Sequence, residues 1–337
     1  MADFHTSTQR AKWIFTEQEL NEKYKAANQR AIQSLEKYGT TSLAIDADGS
    51  FSHPKSQKDT EGNGIKQSRV KPLKVEEEKV LHVYYENKIQ EVCGAFKFPH
   101  KIQATALTYY KRFYLCWSVM EHHPKSVMLT CIYLACKIEE NHVSAEELGK
   151  GIQQDHRMIL DNEMLVLQSL GFDLIVYTPY RSIEGFINDM EDFCYATSGE
   201  IDMLPELHQR AVFEADKAVL TDAPLLFPPG QLALAVLRRA NSELLVLDFE
   251  RYLQSILSRQ QSEHTISELD QGLNAIEFLI KRIKMSDNEE MKRVAKKLKS
   301  CQDSGSRDDS KKRDKKSKHK SKRNPQEIQT PQSAAAE

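Results

Sequence analysis

The usual carriers of catalysis are absent from this 337-residue chain. It has no Gly-x-Gly-x-x-Gly fingerprint and no phosphate-cradling loop; Gly149-Lys150-Gly151 reads as a helix end with no strand before it. Its six cysteines (93, 116, 131, 136, 194, 301) include no Cys-x-x-Cys pair, and four lie inside apolar helical patterns. Free, reduced, buried thiols of an intracellular protein are therefore expected. The eleven histidines are scattered, and the densest group, His122-His123, sits in a connection before Pro124. No His-x-x-x-His with a third ligand occurs, so neither a metal nor a cofactor is expected. Acidic pairs such as Glu139-Glu140 and Glu146-Glu147 fall at helix ends, where carboxylates face solvent or a helix dipole, and nothing demands general acid–base chemistry. No apolar run approaches membrane-spanning length, and Met1-Ala2-Asp3-Phe4-His5 lacks a signal-peptide core. A membrane partner and a cleaved leader are not expected. A non-catalytic protein is.

What is present is helix. The length suggests about two domains, and 40% apolar residues allow a sizeable core. The net charge of −2 conceals an asymmetry. Lys311, Lys312, Arg313, Lys315, Lys316, Lys318, Lys320, Lys322 and Arg323 crowd nine of the 47 basic residues into one short stretch holding a single Asp. The remainder has 38 basic and 48 acidic residues. So acidic a body is a poor match for a phosphate backbone, and direct nucleic-acid binding is not expected of it.

Nearly every periodic segment repeats at helical spacing, and no segment reads as a strand. A first helix starts at Thr16, with Glu19 completing a capping box, and runs to about Lys37. Residues 39–71 lose periodicity and collect Gly, Asp, Ser, Pro and Lys, which reads as a disordered insertion. Five helices follow, at roughly 74–96, 99–116, 124–139, 144–152 and 155–170. Pro99 and Pro124 stand at first turns, Ser144 and Glu147 form another capping box, Leu160, Met164, Leu167 and Leu170 make one apolar stripe, and Gly171 ends the fifth. Residues 172–181 read as an extended linker, because Thr178 precedes a proline. A second helical group covers about 180–196, 203–221, 228–242, 248–257 and 266–284, with a last short helix at 288–300. The halves echo each other: Pro124, Val127, Leu129, Cys131, Ile132 and Ala135 match Pro229, Leu232, Leu234, Val236, Leu237 and Ala240. The expected layout is an N-terminal helix plus insertion over 1–73, units at 74–176 and 177–285, a C-terminal helix at 286–300 and a disordered basic tail at 301–337.

One residue stands out against this pattern. The apolar helix from Val127 to Cys136 meets an abrupt Lys137, and the fifth helix carries Glu163 in Asn162-Glu163-Met164-Leu165-Val166-Leu167. Lys137 is either a solvated cation favoured by the helix C-terminus, worth ~0.3–1 kcal/mol, or one half of a bridge to Glu163. In the second case Leu134 and Leu167, one turn away from each, frame a desolvated polar centre, the layout of a binding hot spot.

Phe98 to Ile175 resembles a cyclin box. The similarity is carried by Tyr109-Tyr110-Lys111-Arg112-Phe113-Tyr114-Leu115, Ser118-Val119, Met128-Leu129-Thr130, Leu134-Ala135-Cys136-Lys137, Glu163 through Leu170, and Phe172-Asp173-Leu174. More narrowly the chain is similar to the plant-type cyclin H branch, through Gln9-Arg10, Trp13, Phe15-Thr16, Ser118-Val119-Met120-Glu121, Pro179-Tyr180-Arg181, Glu184-Gly185-Phe186 and Leu220-Thr221-Asp222. Cyclin C shares the Pro-Tyr-Arg linker and is the nearest competitor. There are departures: Lys111 stands where many cell-cycle cyclins have Asp, residues 78–96 lack the Met-Arg-Ala-Ile-Leu docking patch, and no clear destruction box is present.

The resemblance implies an all-α fold of two tandem five-helix cyclin boxes with flanking helices. It implies a regulatory subunit that binds and activates a cyclin-dependent kinase, in a CDK-activating kinase with a RING-type assembly factor inside general transcription factor IIH. Leu134, Ile138, Leu167 and Leu174 would give that kinase apolar contact, and Lys137 and Glu163 its register. A transcription-factor-IIB-like DNA adaptor and a cyclin C-like mediator kinase subunit are the alternatives. The basic tail is either a solvated polyelectrolyte or a nuclear-import signal; the second places the protein in the nucleus, with some in the cytoplasm.

Overall fold

The computed structural model describes residues 3–38, 41, 44–45, 51–52, 71–197, 200–260, 265–283 and 288–302. In chain order the helices are α1 (Thr8–Lys12), α2 (Glu17–Tyr38), α3 (Val75–Ala95), α4 (His100–Cys116), α5 (Pro124–Ile138), α6 (Ala145–Gly151), α7 (Arg157–Leu160), α8 (Glu163–Ser169), α9 (Pro179–Thr197), α10 (Leu204–Ala218), α11 (Ala223–Leu226), α12 (Pro229–Leu244), α13 (Phe249–Gln260), α14 (Ile266–Lys281) and α15 (Asn288–Gln302). The architecture is all-α. The one departure among the described residues is an antiparallel pair too short to have left a sequence pattern, β1 (Ala44–Ile45) with β2 (Phe51–Ser52). Apart from residues 41 and 71, the rest of the 39–71 insertion, and the whole basic stretch 311–323, lie outside the described residues.

Helix starts follow the local chemistry of the chain. Thr16 and Glu19 exchange backbone bonds (2.8 and 3.2 Å) ahead of α2, as do Ser144 and Glu147 ahead of α6 and Thr265 and Glu268 ahead of α14. Each satisfies two N–H groups that an uncapped helix leaves orphaned, worth about 1 kcal/mol per cap. Pro124 and Pro229 are the first residues of α5 and α12, where no N–H is needed.

Two helical layers form around central helices. In the first unit α4 is enclosed from Ile102 to Leu115 and packs on α3, α5 and α2. In the second α12 is surrounded by α9, α10 and α14. All twelve residues of the internal repeat, Pro124 to Ala135 and Pro229 to Ala240, are buried, so the echo marks equivalent central positions. The second half does not stay on its own side. α15 returns to α3, where Lys297 pairs with Glu77 at 2.5 Å and Cys301 is buried. That burial extends the helix two residues past its expected end.

The fifth helix of the first unit is broken into α7 and α8. The Thr130 hydroxyl donates to the Ile159 carbonyl (2.9 Å) and the Asn162 amide to the Met158 carbonyl (3.0 Å). Those are the acceptors that a continuous helix would offer to the backbone N–H groups of residues 163 and 162. The stripe expected on this helix also divides: Leu170 is buried, but Leu160 and Met164 are exposed, and Ile159, Leu165 and Val166 take the core side.

Candidate functional site

The break makes Glu163 the first residue of α8, where the helix dipole favours a carboxylate. Lys137 lies in the last turn of α5, where the dipole favours a cation. α5 stops there because Glu140 turns left-handed (φ 57°), while Asn141 N–H bonds the Cys136 carbonyl (2.8 Å) and Glu140 N–H that of Lys137 (3.4 Å). This is the Schellman arrangement, made here without glycine.

The two oppositely charged helix ends meet. Lys137 Nζ donates to Glu163 Oε1 at 2.6 Å and lies 4.8 Å from the centre of the Tyr133 ring. Glu163's hydrogen bond, reinforced by its charge, raises the Lys137 pKa against the opposing effect of burial. The pair is not the desolvated centre expected from the sequence. The Lys137 side chain is 47% exposed and that of Glu163 24%, because both sit at helix ends on the rim of the core. The ammonium has three donors, and solvent exposure leaves it accessible to further acceptors.

The apolar surround is also redrawn. Leu134 is 2% exposed and belongs to the core, so it offers no free face; at that turn of α5 the partly open side chain is Tyr133. Ile138 is exposed, and Leu167 and Leu174 are partly buried against the core. Phe172 and Ile175, in the loop after α8, are large apolar residues that the sequence did not assign to kinase contact, and both are more than half exposed, as is Met164. Periodicity could not have marked Phe172 and Ile175, since they lie beyond the helix. α8 ends on Gly171 and Phe172, both left-handed (φ 58° and 59°), with Phe172 N–H bonded to the Leu167 carbonyl at 3.0 Å. The result is an accessible ion pair whose chain neighbours Ile138 and Met164 are open apolar side chains, the makings of a protein-binding face.

No group of three or more His, Cys, Asp or Glu among the described residues is placed to hold a metal ion. No described helix is long and apolar enough to cross a membrane.

The chain matches two domain families, the "Cyclin, N-terminal domain" over residues 70–175 and the "Cyclin C-terminal domain" over residues 178–303. It is 63% identical to Cyclin-H1-1 of Arabidopsis thaliana over 314 residues, 93% of each chain. It is 32% identical to Cyclin-H of Xenopus laevis over 308 residues, 88% of this chain and 86% of that one. A chain of the CAK complex from Chaetomium thermophilum, solved with ATP-gamma-S, shares the fold at a TM-score of 0.71 and 22% identity, covering 96% of this chain and 98% of that one. With both tandem units matched and near full-length similarity to these relatives, the chain belongs to the cyclin H family.

Proposed function

We propose that this protein is the non-catalytic cyclin subunit of a CDK-activating kinase within general transcription factor IIH, supporting phosphorylation of other kinases' activation loops and of the RNA polymerase II tail. Membership of the cyclin H family supports the class. The observation that carries the site is the Lys137–Glu163 pair, exposed at the meeting of two helix ends, with Ile138 and Met164 open beside it in the chain and Phe172 and Ile175 open in the loop after α8.

The physics is selection of one kinase conformation. Phosphoryl transfer needs the ion pair between the kinase's regulatory-helix glutamate and its ATP-binding lysine, together with the magnesium-binding aspartate. A surface that binds the regulatory helix only in its inward position shifts the population toward the competent state. Lys137 has donors to spare for backbone carbonyls of that helix, and Glu163 fixes the ammonium's direction. Ile138, Leu167 and Leu174, with Phe172 and Ile175, furnish apolar area. Leu134 acts from beneath, as support for Lys137's turn.

A RING-type assembly factor completes the complex, and the basic stretch from Lys311 to Arg323 directs it to the nucleus. The deciding experiment is Glu163→Ala. The variant is expected to lose most kinase co-purification and activation while keeping parental helical content. Undiminished kinase capture would remove this face from the reading.

A further inference from the structure

The loop that presents Phe172 and Ile175 is held from outside its own helical unit. Gln9, almost fully buried, forms a two-way bond with Tyr177: its amide donates to the Tyr177 carbonyl (3.1 Å) and its carbonyl accepts from the Tyr177 N–H (2.8 Å). Lys12 Nζ (3.1 Å) and Trp13 Nε1 (3.3 Å) both donate to Asp173 Oδ2. Beneath them Arg112, buried on α4, donates to the Asp173 carbonyl at 3.2 Å and stacks its guanidinium 4.7 Å from the Trp13 ring centre. Tyr109 donates to the Leu174 carbonyl at 2.5 Å. These bonds all fall within five residues after a left-handed residue, Phe172. A left-handed phenylalanine is strained and persists only where its neighbours are fixed.

We infer that Trp13 and Asp173 are positioning residues: the N-terminal segment, through this cluster, holds Phe172 outward in its left-handed conformation and so sets the apolar part of the kinase-docking face. The inference rests on the kinase-binding reading above. It gives the segment before α2 a role at a face it does not itself form.

The test is a double-mutant cycle on the full chain, read as kinase affinity by titration calorimetry, with Glu163→Ala run alongside. Asp173→Ala is expected to weaken binding about tenfold in the parent and less than about twofold in a Phe172→Ala background, because a residue acting through Phe172 has nothing left to position. Asp173→Asn, which keeps an oxygen for Trp13 Nε1, is expected to restore most of the affinity. Equal losses in both backgrounds, or unchanged affinity for Asp173→Ala while Glu163→Ala binds poorly, would overturn the inference and leave the docking face standing. Parental affinity for both Glu163→Ala and Phe172→Ala would overturn the two together.

Discussion

Lys111 Nζ lies 2.7 Å from Glu86 Oε1, the two side chains only 2% and 8% exposed, and it donates a second bond at 3.1 Å to the Leu220 carbonyl. One ammonium on α4 thus joins α3 to the second helical unit, and the Leu220-Thr221-Asp222 motif supplies its acceptor. The departure at Lys111 noted in the sequence is matched by an acid on α3. Lys111→Met strands a buried carboxylate and is expected to cost ~3–5 kcal/mol, whereas adding Glu86→Leu should recover much of the loss. Denaturant unfolding of the single and double variants measures both.

Thr130→Val tests the helix break. Losing the hydroxyl leaves the Ile159 carbonyl without that donor, at a cost of ~1–3 kcal/mol. Because the break makes Glu163 the first residue of α8, kinase association should fall as well. A parental affinity with a lowered melting temperature would show that the break serves stability alone.

The Lys137–Glu163 pair should matter little to the free protein and much to the complex. An exposed pair contributes about 0–1 kcal/mol, so Lys137→Ala should shift the melting temperature only slightly. Covering the pair with a partner changes the balance, and the same substitution should cost ~2–5 kcal/mol of kinase affinity. The raised pKa of Lys137 places the pair's contribution below the ordinary lysine value of 10.5, intact at neutral pH and lost only as pH climbs above it. Melting curves and calorimetry on one protein preparation separate the two effects.

Two buried groups give stability opposite pH slopes. Glu78 accepts from Asn28 (2.8 Å) and Ser118 (2.5 Å), and burial pushes its pKa up to about 7 against those bonds. Between 4.5 and about 7 the folded chain holds a proton there that the unfolded chain has lost, so this contribution declines as pH rises. Burial pushes His82 down to about 3, with Lys111 and Lys79 adding to it. Between about 3 and 6.5 the unfolded chain binds a proton at His82 and the folded chain does not, so this contribution grows as pH rises. Glu78→Gln removes the first slope. Its unfolding free energy, measured across a pH series, should rise more steeply than the parent's up to pH 6.5 and lack the parent's decline toward 7.

Deleting residues 311–323 should leave kinase activation in solution unchanged and shift a fluorescent fusion toward the cytoplasm. An unmoved fusion would return the stretch to a plain solvated polyelectrolyte.

Much of the fold was legible because its signals are local. A capping box needs only Ser144 and Glu147 three residues apart, a proline start needs only Pro124 or Pro229, and the buried stripes of α5 and α12 repeat within a few turns. The meeting of Lys137 and Glu163 was legible only as one of two readings, decided by resemblance. The local pattern was misleading at Leu134 and Met164, where one periodicity fits either face.

Charge balance, helical class and tandem organisation were determined by the amino-acid order, since they follow from composition, from spacing within a turn or two, and from one such pattern repeated along the chain. The tertiary structure decided the break before Glu163, the burial of Leu134, the exposure of Phe172 and the bolt at Lys111. Each of those rests on a partner far along the chain, such as Thr130 for Ile159, Trp13 for Asp173 and Leu220 for Lys111, and a contact of that range leaves no periodicity to read.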